Sequence, residues 1–285
     1  MNIDFKLLKE QAKVQKVPAF FAIVLGPSGA GKSTLMGTLN VPTLFLHTRL
    51  EGHGATSAKG VAKGDTITDK DMSLYKKDGT VDCDATYKNL LAHLRAPDIA
   101  DHFEAVVIDS ATELEQTIRK SQMFVDKCKA LSGKHNTYSE TPTLTDTFKE
   151  ILETLKMLHD KEVHCFFTCA ATQKPQTDEN EVMDVTPTLQ GYGIASEFVK
   201  NFQDVLLVSR LSKEDEAGNV KSAHALVFKS NISKTSKDLK GVVVKSMNFS
   251  PRCFGLPLEM LPDVMKADLS LLIKKRNEYY AAKVK

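Results

Sequence analysis

The apolar run Ala19–Leu25 opens without a spacer into Gly26-Pro-Ser-Gly-Ala-Gly-Lys-Ser-Thr34, and Leu35, Met36 and Leu39 then continue at helical spacing. A buried strand that turns this tightly into a helix needs glycines in its turn, and the helix must pack back onto a sheet. The spacing fits Gly-x-x-x-x-Gly-Lys-Ser, with Gly26, Gly31, Lys32 and Ser33 at the fixed positions. In such a loop successive backbone N–H groups converge on phosphate oxygens, helped by the positive end of the helix. Gly26, Pro27, Ser28, Gly29, Ala30 and Gly31 are thus expected to cradle the phosphates. Lys32 reaches the β- and γ-phosphates, Ser33 ligates Mg2+ and Thr34 touches the α-phosphate. ATP and Mg2+ are the ligands this chemistry implies.

The rest of the chain repeats the alternation. Thr43–His47, Ala105–Asp109, Val163–Ala170 and Asp204–Ser209 read as strands; Lys32–Leu39, Ala85–Leu94, Thr112–Leu131, Asp146–His159 and Ile194–Asn201 read as helices. Continuous apolar strands between helices predict an α/β fold whose mainly parallel sheet is covered by helices on both faces. Two runs flanking the polar turn Glu214–Asn219 predict a hairpin, an antiparallel C-terminal extension of that sheet. Val242–Ser246 is a further short strand, and a last helix is expected over Val264–Lys283. Glu51–Asp84, rich in glycine, lysine and aspartate, reads as a long loop insertion. The domain reading is an N-terminal amphipathic helix within 1–18, a core over 19–250 and a basic helical segment over 251–285.

A phosphate loop needs a second acidic group for the metal, and Ala105-Val-Val-Ile-Asp109 carries one. Its four apolar residues put Asp109 at the C-terminal tip of a buried strand, where open α/β sheets bind ligands. There it can hold Mg2+ through water, or simply cap the next helix. An AAA+ motor normally has glutamate after this aspartate; here Ser110 follows. Val106-Val-Ile-Asp109-Ser110-Ala-Thr-Glu-Leu114 resembles the Walker B segment of RecA-type recombinases, which pair aspartate with serine and draw their catalytic glutamate from the strand after the P-loop helix. The resemblance implies a RecA-like P-loop NTPase core, with Glu51, just beyond Thr43–His47, as the group that polarises the attacking water. It implies that Gln173, beyond His164–Ala171, senses the γ-phosphate. Lys229, Lys234 and Lys237 resemble the lysines that reach an ATP held by a neighbouring subunit, which implies a ring or filament. Size matches the small RecA-like ATPases of bacteriophages, some of them single-strand annealing proteins. The partners implied are single-stranded DNA, further copies of the chain and a single-strand DNA-binding protein. Lys174, Tyr192, Lys274, Lys275 and Arg276 are the candidate DNA contacts. Asp178, Glu179, Glu181 and Asp184 oppose such a path.

Composition narrows the alternatives. The 285 residues are 42% hydrophobic and 26% charged, which excludes disordered, collagenous and coiled-coil chains. The net charge of +2 divides unevenly: residues 19–228 carry 22 basic and 29 acidic groups, or −7, and residues 229–285 carry 12 and 5, or +7. No apolar stretch approaches the ~20 residues of a membrane span, and Met1–Val17 lacks a signal-peptide core, so a cytoplasmic location is expected, in the host cell for a phage protein. The five cysteines are odd in number and Cys165 and Cys169 fall within a strand, so neither disulfides nor structural zinc are expected. Two other readings of the loop stay open. One is a small-molecule kinase with Glu51–Asp84 and Asn136–Thr145 as lids, although only Arg49, Arg95 and Arg119 are at hand. The other is a nucleotide-gated scaffold or loader for a replication or packaging partner.

Overall fold

The computed structural model describes residues 17–48, 52–175, 182–190, 194–214, 220–228, 243–244 and 251–284. The first half runs β1 Phe21–Gly26, α1 Lys32–Gly37, β2 Thr43–His47, α2 Gly52–Lys59, β3 Ile67–Asp71, α3 Cys83–Leu94, α4 Ile99–His102, β4 Ala105–Asp109, α5 Ala111–Lys120 and α6 Gln122–Ser132. The second runs α7 Thr137–His159, β5 His164–Pro175, β6 Val182–Pro187, α8 Ile194–Lys200, β7 Asp204–Glu214, β8 Val220–Val227, β9 Val243–Val244, β10 Val264–Lys266 and α9 Leu269–Val284. The strands order as β10-β8-β7-β1-β5-β4-β2-β3, with β6 paired to β5 and β9 to β6. From β7 to β3 every pairing is parallel; β8 and β10 join antiparallel. This is the expected α/β core, a mainly parallel sheet with an antiparallel extension.

Alternation along β1 divides its side chains between two helical layers. Phe21, Ile23 and Leu25 pack with Leu90 and Leu94 of α3, Leu114 and Ile118 of α5, Phe124 of α6, Leu155 of α7 and Phe198 of α8. Ala22 and Val24 face Leu35 and Met36 of α1, Ala58 of α2 and Leu269 and Leu272 of α9. Each fully buried Leu or Phe contributes about 1.5–3 kcal/mol. Loss of either layer would therefore exceed the ~5–15 kcal/mol net stability of a domain.

Several boundaries differ from expectation for local reasons. The helix expected over Thr112–Leu131 breaks at Ser121, whose backbone is extended. Its hydroxyl donates to the Ile118 carbonyl and accepts from Phe124 N, closing α5 and capping α6. Helix α7 starts earlier than Asp146 because Asn136 and Ser139 form a capping box. The loop expected over Glu51–Asp84 holds α2, β3 and the start of α3. Strand β3 is an edge that buries only Ile67, so it lacks the apolar pattern of a strand. Helix α2 packs through Ala55 and Ala58.

The C-terminal segment is also no appendage. Residues 264–266, expected as helix, form β10 against β8, and Cys253, Leu256, Leu261, Leu269 and Leu272 belong to the second layer. The sheet core thus continues past the boundary expected at residue 250. The N-terminal helix expected within 1–18, over Asp4–Lys16, lies outside the described residues. Among the described residues no helix is long and apolar enough to cross a membrane.

Candidate functional site

Strand β1 ends at Gly26, and the chain turns through Pro27–Gly31 with an Ala30 N to Pro27 O hydrogen bond of 3.2 Å. Gly29 and Gly31 sit at φ 74° and 92°, left-handed values that a side chain would strain. Lys32 Nζ curls over the turn and donates to the carbonyls of Gly26 and Pro27 at 3.0 and 3.1 Å. The loop is thus already wrapped around its own cation.

Asp109 ends β4 and is 2% exposed. Its strand does not adjoin β1: β5 lies between them, and Thr168 of β5, opposite Val24 in register, donates its hydroxyl to Asp109 Oδ1. From the other side Ser33 Oγ donates to Asp109 Oδ2 at 2.8 Å. Burial pushes the Asp109 carboxyl above the ordinary carboxylate range, while the Thr168 and Ser33 hydroxyls and the Lys32 charge pull it back. The Ser110 hydroxyl accepts from Glu113 N, capping α5. The strand-end aspartate therefore faces the loop, and the cap is made by its neighbour.

Helix α2 closes this end. A Cβ on Gly54 would stand 2.0 Å from Asp109 Oδ2 and 2.9 Å from Ser33 Oγ, so only glycine allows the approach. Between these groups lies a cavity of about 310 Å³ lined by Ser28, Gly29, Gly31, Lys32, Ser33, Thr34, Gly54, Ser57, Asp109, Ser110, Ala170 and His224. That volume suits a small ligand. Gly and Lys at one end answer phosphate oxygens. The Ser33 and Asp109 oxygens, 2.8 Å apart, form the hard donor pair that Mg2+ takes, so the residues present fit a metal-bound nucleotide.

The expected loop residues Gly26 to Thr34 and Asp109 thus come together. The backbone of Gln173 lies on β5 three residues past the cavity-lining Ala170, about 10 Å along a strand. Lys174 follows it, opposite Asp184 of β6 in the backbone register. Glu51, Tyr192, Lys229, Lys234 and Lys237 lie outside the described residues. On α9, Lys274 is exposed and pairs with Glu278 at 3.9 Å, and Lys275 is half-buried. Arg276 corrects its expectation as a DNA contact. It is 1% exposed, with its guanidinium carbon 4.2 Å from the Phe20 ring centre, a full β1 length from the loop. A buried guanidinium is out of reach of a polyanion.

Gly54, Ser57 and His224 in the cavity wall, and Thr168 as a partner of Asp109, belong to the site without having been expected. Thr168 had a signal, a lone hydroxyl in the apolar run His164-Cys-Phe-Phe-Thr-Cys-Ala-Ala171. Gly54 and Ser57 lay in a stretch without periodicity, and His224 in one strand of a hairpin.

Residues 21–238 match the protein-family model described as AAA domain. No curated protein matches the chain.

Proposed function

The chain belongs to the AAA-domain family, a P-loop ATPase family, and on that premise we propose that it is a RecA-like ATPase of the phage type that hydrolyses ATP while acting on single-stranded DNA in recombination, annealing or repair. The observation that carries the ATPase reading is the hydrogen bond between Ser33 of the loop and the buried Asp109 of β4 across the cavity. In this reading the loop amides and Lys32 hold the phosphates, and Ser33 and Asp109 would hold Mg2+. When bound there, Mg2+ would supply positive charge against the phosphate oxygens. Glu51 takes a proton from a water as its oxygen attacks the γ-phosphorus, the bond to the bridging oxygen breaks, and ADP and phosphate leave.

The DNA part rests on the Asp109-Ser110 pair, with serine where AAA+ motors carry glutamate, and on β5. That strand runs unbroken from the cavity at Ala170 through Gln173 and Lys174 into its hairpin with β6. A γ-phosphate lost at one end could move the other. Tyr192 and Lys274 and Lys275 are the remaining DNA candidates. Lys229 and Lys234 are assigned to a neighbour's nucleotide, within a ring or filament. The kinase reading is weakened because Arg95 and Arg119 are engaged elsewhere, with Glu150 at 2.9 Å and with Glu115 and Glu140 at 2.9 and 2.7 Å.

The test is ATP turnover with and without single-stranded DNA over a range of salt. DNA is expected to stimulate it several-fold and Lys32→Ala to abolish it. Turnover indifferent to DNA would remove the recombinase reading, and full turnover in Lys32→Ala would remove the site assignment.

A further inference from the structure

The geometry points to His224 as a nucleotide-binding residue of this site, contacting the nucleoside end of the bound nucleotide at its α-phosphate or ribose. This deepens the ATPase reading and rests on it. His224 lines the cavity although it belongs to β8, two strands from β1. Its ring lies against the loop: a Cβ on Gly31 would come within 2.7 Å of both Cγ and Nδ1. Nδ1 is buried and has no hydrogen-bond partner among the described residues. A ring nitrogen shut away from water without a partner costs about 1–3 kcal/mol, which a half-turn of the ring, bringing Nδ1 from Gly31 to a polar ligand in the cavity, would relieve.

The position is a rigid one. His224 stands opposite Arg210 of β7 in register, and its carbonyl accepts from Ala267 N at 3.1 Å where β10 meets α9. The ring is therefore presented by three paired strands, as a preformed contact requires. Strand order also decides which part of the nucleotide it meets. Asp109 lies two strands from β1 on one side and His224 two strands on the other. The metal and the terminal phosphates belong at the Asp109 and Ser33 pole, so the group arriving at His224 is the opposite end of the ligand. There Nδ1 can donate to an α-phosphate oxygen or accept from a ribose hydroxyl, according to tautomer.

Calorimetric titration of the full chain with ADP and with inorganic tripolyphosphate, both with Mg2+, separates this role from a structural one. His224→Ala is expected to weaken ADP about five- to tenfold, the loss of one hydrogen bond. It should leave tripolyphosphate, which needs only the loop and the metal pole, unchanged. His224→Asn, whose side-chain amide can take over from Nδ1, should stay within about twofold of wild type for ADP. Unchanged ADP affinity in His224→Ala would overturn the inference and leave the ATPase reading standing. Equal loss of both ligands would also overturn it, because the ring would then merely shape the loop. Wild-type protein that bound neither ligand would overturn the site reading itself.

Discussion

At the scale of single residues, the site depends on how little room surrounds one carboxylate. Asp109 is 2% exposed and accepts from two hydroxyls, so its position is set by Ser33 on one side and Thr168 on the other. Gly54 supplies the third wall. Gly54→Ala would put a methyl 2.0 Å from Asp109 Oδ2, and either the carboxylate or α2 must move by about 1 Å. A displacement of that size beside reacting groups costs on the order of 100-fold in rate. Alanine is the better helix former by about 1 kcal/mol, which offsets part of the strain. The expected result is a loss of ATP turnover of about 100-fold with a melting temperature within a few degrees of wild type. Turnover close to wild type would show that the groups at this pole are less tightly placed than their contacts indicate. Gly26 to Thr34 and Asp109 were readable because each role needs a fixed residue type at a fixed spacing. Thr168, Gly54 and His224 serve by position, and position comes from strand order and from helix packing that no local spacing encodes.

At the scale of elements, periodicity located β1, β2 and β4 within two residues and the starts of β5 and β7 within one, because strands covered on both faces must be apolar throughout, while the ends of β5 and β7 run five residues beyond their apolar stretches. It failed where an element is held by something else: β3 by its ladder with β2, the break before α6 by the Ser121 hydroxyl, and β10 by three pairs with β8. Helix α9 shows the consequence for function. Its Lys274-Lys275-Arg276 run reads as one basic patch, yet the helix turns these residues to different surroundings, and Arg276 enters the core over Phe20. Nearby, Asp204 is buried and accepts from Phe254 N at 2.7 Å and Phe21 N at 3.1 Å. Burial pushes its carboxyl up, and the Arg276 charge is the first influence pulling it back. Arg276→Ala removes both packing and that charge and is expected to cost about 3 kcal/mol. Arg276→Met keeps most of the volume and should cost about half as much. Urea midpoints check this. If both variants melt like wild type but bind single-stranded DNA more weakly, Arg276 is a surface contact after all.

At the scale of the whole molecule, the charge division of −7 against +7 is not a division into body and tail, since residues 251–284 complete the same sheet and the same core. The seam where that segment closes on the sheet carries a pH response of its own. His164, at the start of β5, accepts from Phe20 N through Nδ1 at 2.9 Å, so the folded ring must be neutral. Burial, then the nearby Arg276 and His159, lower its pKa from 6.5 to about 4. Between those values the unfolded chain binds the proton and the folded one does not, so stability falls as pH drops from about 6.5 toward 4. The full effect of such a shift is about 3 kcal/mol. Asp109, Glu115 and Asp204 act in the opposite sense, because burial raises their carboxyl pKa and the folded state takes up their protons first. The net curve of the wild type is therefore flattened, and the informative quantity is a difference. His164→Asn offers an amide oxygen to Phe20 N but cannot be protonated. Urea unfolding at pH 7, 6 and 5 should show wild type losing stability relative to this variant at each acid step. Parallel curves would mean that His164 titrates alike in both states and that the seam is open to water.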